Sequence, residues 1–202
     1  LNGQLKDLQQ SLYAIVYAHG GLIGALPPEK FTLKVERARQ TLKGVLERLA
    51  HKPDKVQLRD LRLAADAVEN YCRENAGRVS ADDWSELARV QAYLLSLEGH
   101  PDKAARYFSF WFNLRPDGGP VAVAKGETVF AQPAKQAHDL WKKTERGSLL
   151  IRDLPKRARV FIDGQSVVVK SERVSGLRHG LHLIQVLVED RPPLGSVVWI
   201  GA

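Results

Sequence analysis

The chain has 202 residues, 44% of them hydrophobic, with 30 Lys and Arg against 23 Asp and Glu. That length builds one large or two small domains, and no apolar run approaches the roughly 18 residues that would suggest a membrane-spanning helix. The basic excess is divided, 22 basic against 18 acidic side chains up to Arg146 and 8 against 5 after it, whereas a nucleic-acid reader concentrates its basicity in a stripe or tail.

In chain order, the first predicted helix runs from Gln4 to Ala18, with Leu5, Leu8, Leu12, Ile15 and Val16 on one face. Gly20-Gly21 stops it. Pro27-Pro28 opens the next, about Glu29 to His51, where Pro28 stands at a tolerated first-turn position. Its stripe is Phe31, Val35, Ala38, Leu42, Val45, Leu46 and Leu49, with Lys and Arg opposite. Pro53 breaks it. Asp54 then offers an N-cap, with Gln57 three residues on completing a capping box. The third helix, Lys55 to Glu74, carries Leu58, Leu61, Ala65, Val68 and Cys72 on one face.

Cys72 is the single cysteine, so no intrachain disulfide forms. It reads as a small buried hydrophobe; a catalytic thiol needs a paired base, which no residue supplies by spacing. Ser80 caps a fourth helix, Ala81 to Leu97, with Trp84, Leu87, Leu94 and Leu95 inward. Asp82, Asp83 and Glu86 are read as lying in its first turn, where the helix dipole favours acids. Gly99-His100-Pro101-Asp102 turns tightly into a fifth helix, Pro101 to Asn113, which makes the pair a helical hairpin. Tyr107/Trp111 and Phe108/Phe112 lie four apart, so two adjacent aromatic stripes call for burial on two sides. Residues 118–133 read as an extended connector, followed by a last helix from Ala134 to Arg146, ended by Gly147.

The run from Gly99 to Phe108, with Leu114-Arg115-Pro116-Asp117, resembles the second half of a tetratricopeptide repeat. Gly99, Ala104, Phe108 and Pro116 hold its glycine, small-residue, aromatic and proline positions, and Ala92 and Leu95 fit its first helix. Ala88, Gln91 and Trp111 depart from it, standing where the family has a large aromatic, a leucine and a small residue.

From Gly147 the periodicity changes to short β-rich runs: Leu149-Leu150-Ile151, Val160-Phe161-Ile162, Val167-Val168-Val169, Leu181 to Val188, and Val197 to Ile200. Pro155, Asp163-Gly164, Ser175-Gly176, Gly180 and Pro192-Pro193 punctuate them. Asp163-Gly164 is expected to be a hairpin turn. His179 and His182, three apart on a strand, face opposite ways and do not share a metal. Gly147, Pro155, Val160, Ile162, Asp163, Gly164, Gly180 and His182 occupy the places of a PEGA-type domain, a small β-sandwich of bacterial and archaeal proteins, which this segment resembles. The family's glycine-proline pair after the turn and its glycine-aromatic close are missing.

The expected fold class is therefore α+β, segregated: antiparallel tetratricopeptide-like helical hairpins over 1–146, then a small all-β sandwich over 147–202. No phosphate-cradling loop, metal-binding helix motif or nucleophile elbow occurs, so no residue is assigned as catalytic, cofactor-binding or metal-binding, and no cofactor is expected. The favoured function is a non-enzymatic protein-interaction or scaffolding module with a protein partner, nucleic acid being disfavoured. The resemblances imply a bacterial source and a periplasmic or envelope-associated location, with the cytoplasm as the alternative. The chain contains no Met, so a trimmed or processed N-terminus is expected, with an export signal among the segments that processing removes. The alternative function is binding of an anionic polymer or surface through Lys156, Arg157, Arg159, Lys170, Arg173 and Arg178.

Overall fold

The computed structural model describes residues 28–49, 51, 53–117 and 130–201. The predicted helix from Gln4 to Ala18 and most of the 118–133 connector lie outside them. Among the described residues five helices precede two small antiparallel sheets, an α+β arrangement. The helices are α1 (Pro28–Leu49), α2 (Lys55–Glu74), α3 (Ala81–Leu97), α4 (Pro101–Leu114) and α5 (Ala131–Lys143). None is long and apolar enough to cross a membrane.

Local chemistry sets most of these boundaries. Asp54 accepts from the Val56 and Gln57 amides, and the Gln57 side chain accepts from the Asp54 amide in return, so the predicted capping box is formed. The Ser80 hydroxyl accepts from the Asp83 amide at the start of α3. Leu42, Val45 and Leu49 of α1, and Leu61, Ala65, Val68 and Cys72 of α2, are buried stripes. Helix α3 is buried on more than one face, with Trp84, Leu87, Ala88, Val90, Ala92, Tyr93 and Leu94 all inside. Both aromatic stripes of α4 are used: Phe108 and Trp111 tilt against Tyr93 of α3, while Phe112 meets His138 and Trp141 of α5.

Helix α5 starts and stops three residues before its predicted bounds. Pro133 lies in its first turn, where the amides have no helical acceptor and a missing N–H loses nothing. The chain leaves the helix at Thr144 because Arg146 and Gly147 are already paired with Arg178 and Leu177.

The strands are β1 (Arg146–Leu150), β2 (Arg159–Ile162), β3 (Gln165–Val167), β4 (Arg173–Arg178), β5 (Gly180–Leu187) and β6 (Leu194–Ile200). β1 pairs with β4, and a four-stranded sheet runs β3-β2-β5-β6, with every pairing antiparallel. Asp163 (φ 52°) and Gly164 (φ 79°) turn the β2–β3 hairpin, the pair of positive φ values that a two-residue hairpin of this twist requires. Ser175-Gly176, read from sequence as a turn, instead lies inside β4 opposite a register shift at Gly147/Ser148. A bulge absorbs one extra residue without ending the strand, and Gly176 supplies its positive φ.

The long strand β5 is apolar on both faces because it is covered on both. Leu183 is fully buried in the helical core, with Leu181 and Val197 packed beside it. Ile184 points the other way, into a second cluster with Leu149, Ile151, Val160, Ile162, Val174, Val198 and Ile200. The alternation of the pleat divides the strand between two cores. The four-stranded sheet therefore lies between the helices and the β1–β4 pair. Gln185, on the helix side, donates to the Ala76 and Val79 carbonyls at 2.9 and 3.0 Å, tying β5 to the α2–α3 loop. At that same place the backbones of Gly77 and Gly195 touch: a Cβ on Gly195 would stand 2.4 Å from the Gly77 nitrogen.

Candidate functional site

The register of β5 and β6 places Leu181, Leu183 and Gln185 opposite Trp199, Val197 and Gly195. The last two pairs are covered by helices. Trp199 is not: it is 44% exposed. Here the sheet forms one wall of a groove of about 460 Å³, whose other walls are Arg62 and Asp66 of α2, Gln91 and Leu95 of α3, and Lys103, Arg106 and Tyr107 of α4.

Its floor is a hydrogen-bonded chain. Gln91, 1% exposed, interrupts the apolar surface of α3. Its amide nitrogen donates to Asp66 at 3.0 Å and to Glu69 at 2.8 Å, and its carbonyl accepts from Arg62. Arg62 reaches on to Glu98 at 3.1 and 2.5 Å. Glu69 also accepts from the Tyr107 hydroxyl at 2.8 Å and from Arg73 at 2.6 Å. Both amide hydrogens of Gln91 and its carbonyl oxygen are thereby partnered, the condition under which a buried amide is tolerated. Burial and then the Glu69 charge push the Tyr107 hydroxyl up to about 12, so it stays protonated and donating at neutral pH. The groups of the floor hold one another and fix α2, α3 and α4 in mutual register.

The rim differs. Lys103 and Arg106 are exposed, and no ion pair among the described residues takes up either charge. The Arg106 guanidinium lies 5.6 Å from the centre of the Trp199 ring, within cation–π range. Two exposed cations thus stand beside the exposed Trp199 ring, with the half-buried Leu181 and the buried Leu95 behind it.

A second polar cluster is closed to solvent. His182 donates from Nδ1 to Asp163 Oδ2 at 2.5 Å, and its Nε2 faces the Arg178 carbonyl at 2.6 Å. Asp163 Oδ1 accepts from the Leu183 amide at 2.9 Å. Asn113 of α4 donates to the Leu181 carbonyl at 2.9 Å and accepts from the Trp141 indole at 2.7 Å. Burial alone would lower the His182 pKa, but the Asp163 hydrogen bond and charge, with the Arg178 carbonyl, outweigh it and raise it. This cluster joins α4, α5 and the sheet.

Cys72 is buried, and burial followed by the charges of Asp83 and Glu69 pushes its thiol up to about 12, which withholds the thiolate that nucleophilic chemistry needs. The basic residues of the β segment differ in their surroundings. Arg178 stacks 4.3 Å from the Trp141 ring and donates to the Trp141 and Lys142 carbonyls at the end of α5, and Arg157 lies 3.7 Å from Glu189. Lys156, Arg159, Lys170 and Arg173 are exposed, and Lys170 and Arg173 are paired with each other through their backbones at 3.1 and 2.9 Å. His179 precedes β5, whereas His182 lies within it. Among the described residues no group of three or more His, Cys, Asp or Glu is arranged to hold a metal.

The groove residues carried little signal in the sequence. Gln91 was visible as a polar residue where a helical repeat has leucine; Trp199 looked like an ordinary strand residue, since nothing local says where the helices stop covering the sheet. In comparisons with family models, with curated proteins and with solved structures, nothing matches this chain.

Proposed function

We propose that the protein is a non-enzymatic interaction or scaffolding module that docks a segment of a protein partner in the groove between its helices and its sheet. The observation that carries this reading is the division of labour in the groove. Its titratable floor is consumed by internal bonds, while its rim offers the exposed Trp199 ring with Arg106 over it, two residue types that interface centres favour. The antiparallel α3–α4 hairpin, joined through Glu98, Gly99 and His100, supports a tetratricopeptide-like description of the helices. The two sheets meeting across Leu149, Val160 and Ile184 support a sandwich-like, PEGA-type description of the remainder. A bacterial envelope setting belongs to the same proposal and rests on those two resemblances.

Photo-crosslinking in the native host tests it. A photoreactive aromatic residue in place of Trp199, 44% exposed in the groove, should yield one defined protein adduct, and the same residue at Val168, 77% exposed just past the edge strand β3, should not. Equal adducts at both positions, or none at position 199, would overturn the reading.

A further inference from the structure

The groove's chemistry narrows its occupant. Of the four charged residues lining it, three are cationic and one, Asp66, is anionic. Arg62 is neutralised by Glu98, which leaves the Asp66 carboxylate, hydrogen-bonded to Gln91 and 3.8 Å from Arg62, against two cations and a local balance of one positive charge. The cations that no carboxylate among the described residues takes up are Lys103 and Arg106. Those residues are three apart on α4 and so share a face. Directly alongside lie the Trp199 ring and Leu181, apolar surface that a charged ligand alone would leave uncovered. A run of phosphates would need a longer cationic track than two residues.

Resting on the interaction reading above, we infer that the groove receives an acidic polypeptide segment. One or two carboxylates face Lys103 and Arg106, and an adjacent apolar side chain covers Trp199 and Leu181. The Arg106 guanidinium serves both halves, holding the ring by cation–π attraction on one side and a carboxylate on the other.

The probe is a short fluorescein-labelled peptide of repeated Glu-Glu-Leu, followed by anisotropy at low and at physiological salt. Saturable binding is expected, weakening as salt rises. The double variant Lys103→Glu, Arg106→Glu should weaken it by about tenfold or more, and Trp199→Ala by about fivefold, the scale of lost charge-pair and aromatic contacts. Lys142→Glu with Lys143→Glu, outside the groove, should change nothing. Trp199 is the exposed tryptophan, Trp84, Trp111 and Trp141 being buried, so iodide quenching of the intrinsic fluorescence should fall when the peptide binds.

Three results overturn the inference: no saturable binding, binding indifferent to the Lys103/Arg106 reversal, or equal binding by an all-Glu peptide or inorganic phosphate, which would mark a simple anion site. The two proposals fail separately. A groove adduct in cells without affinity for the acidic probe sinks this one alone, and affinity for the probe without any adduct sinks the other.

Discussion

Replacing Asp163 by Asn tests the physics of the joint between helices and sheet. Both ring nitrogens of His182 face acceptors, a carboxylate at 2.5 Å and a carbonyl at 2.6 Å, and only the doubly protonated ring can donate to both. The pair is closed to water, with side-chain exposures of 3% and 10%. Since the folded-state pKa of His182 is raised, the stability it contributes is fully present below the unfolded value of about 6.5 and is lost as pH climbs through the folded value. Asp163→Asn keeps the shape and leaves Oδ1 for the Leu183 amide. It removes the charge, so a protonated His182 becomes a buried ion without a counter-ion, at a cost of about 3–5 kcal/mol. At high pH the ring is neutral, its Nδ1 can accept from the new amide, and the cost should drop to about 1 kcal/mol, one exchanged hydrogen bond. Urea unfolding followed by far-ultraviolet circular dichroism at about pH 5.5, 7 and 9 measures the difference between the two proteins. It should shrink as pH rises; the lowered pKa of His138, set by burial and Lys142, is common to both proteins and cancels. A gap that is constant or widens with pH would refute the argument.

Three further outcomes follow from the packing. Leu183→Ala should cost about 2–5 kcal/mol, because Leu183 has no exposed surface and belongs to the helical core although it lies on a strand; a loss confined to the sheet signal would contradict one cooperative unit. Gly77→Ala should destabilise by about 1–3 kcal/mol in the same urea titration, since its Cβ would stand 2.3 Å from the Pro193 carbonyl oxygen. The Cys72 thiol, buried with its pKa pushed up to about 12, should not react with a disulfide reagent in the native protein and should react fully in urea, as absorbance of the released thiolate will show.

Much of the scaffold was legible in the chain itself. Asp54 with Gln57, and Ser80, mark the starts of α2 and α3 because caps satisfy amides within three residues of themselves. Leu61, Ala65, Val68 and Cys72 mark a buried face because helical spacing is a local property. Asp163-Gly164 marks a hairpin because its φ values are a local demand. The end of α5 and the place of Gly176 were misjudged where strand pairing with residues about thirty positions away overrode the local signals.

Of the groove only Gln91 left a mark in the sequence, as a polar residue where a helical repeat has leucine, and the reason is distance along the chain. Arg62 and Gln91 are 29 residues apart, and Gln185 and Ala76 are 109 apart. Leu183 and Ile184 carry the same apolar signal, yet one joins the helical core and the other the sheet core, depending on which side of β5 the helices pack. Trp199 is a groove wall because cover from the helices stops short of it. Composition and periodicity determined the elements and their order; which faces met, and which side chains were left uncovered between them, was decided only when the helices closed over one side of the sheet.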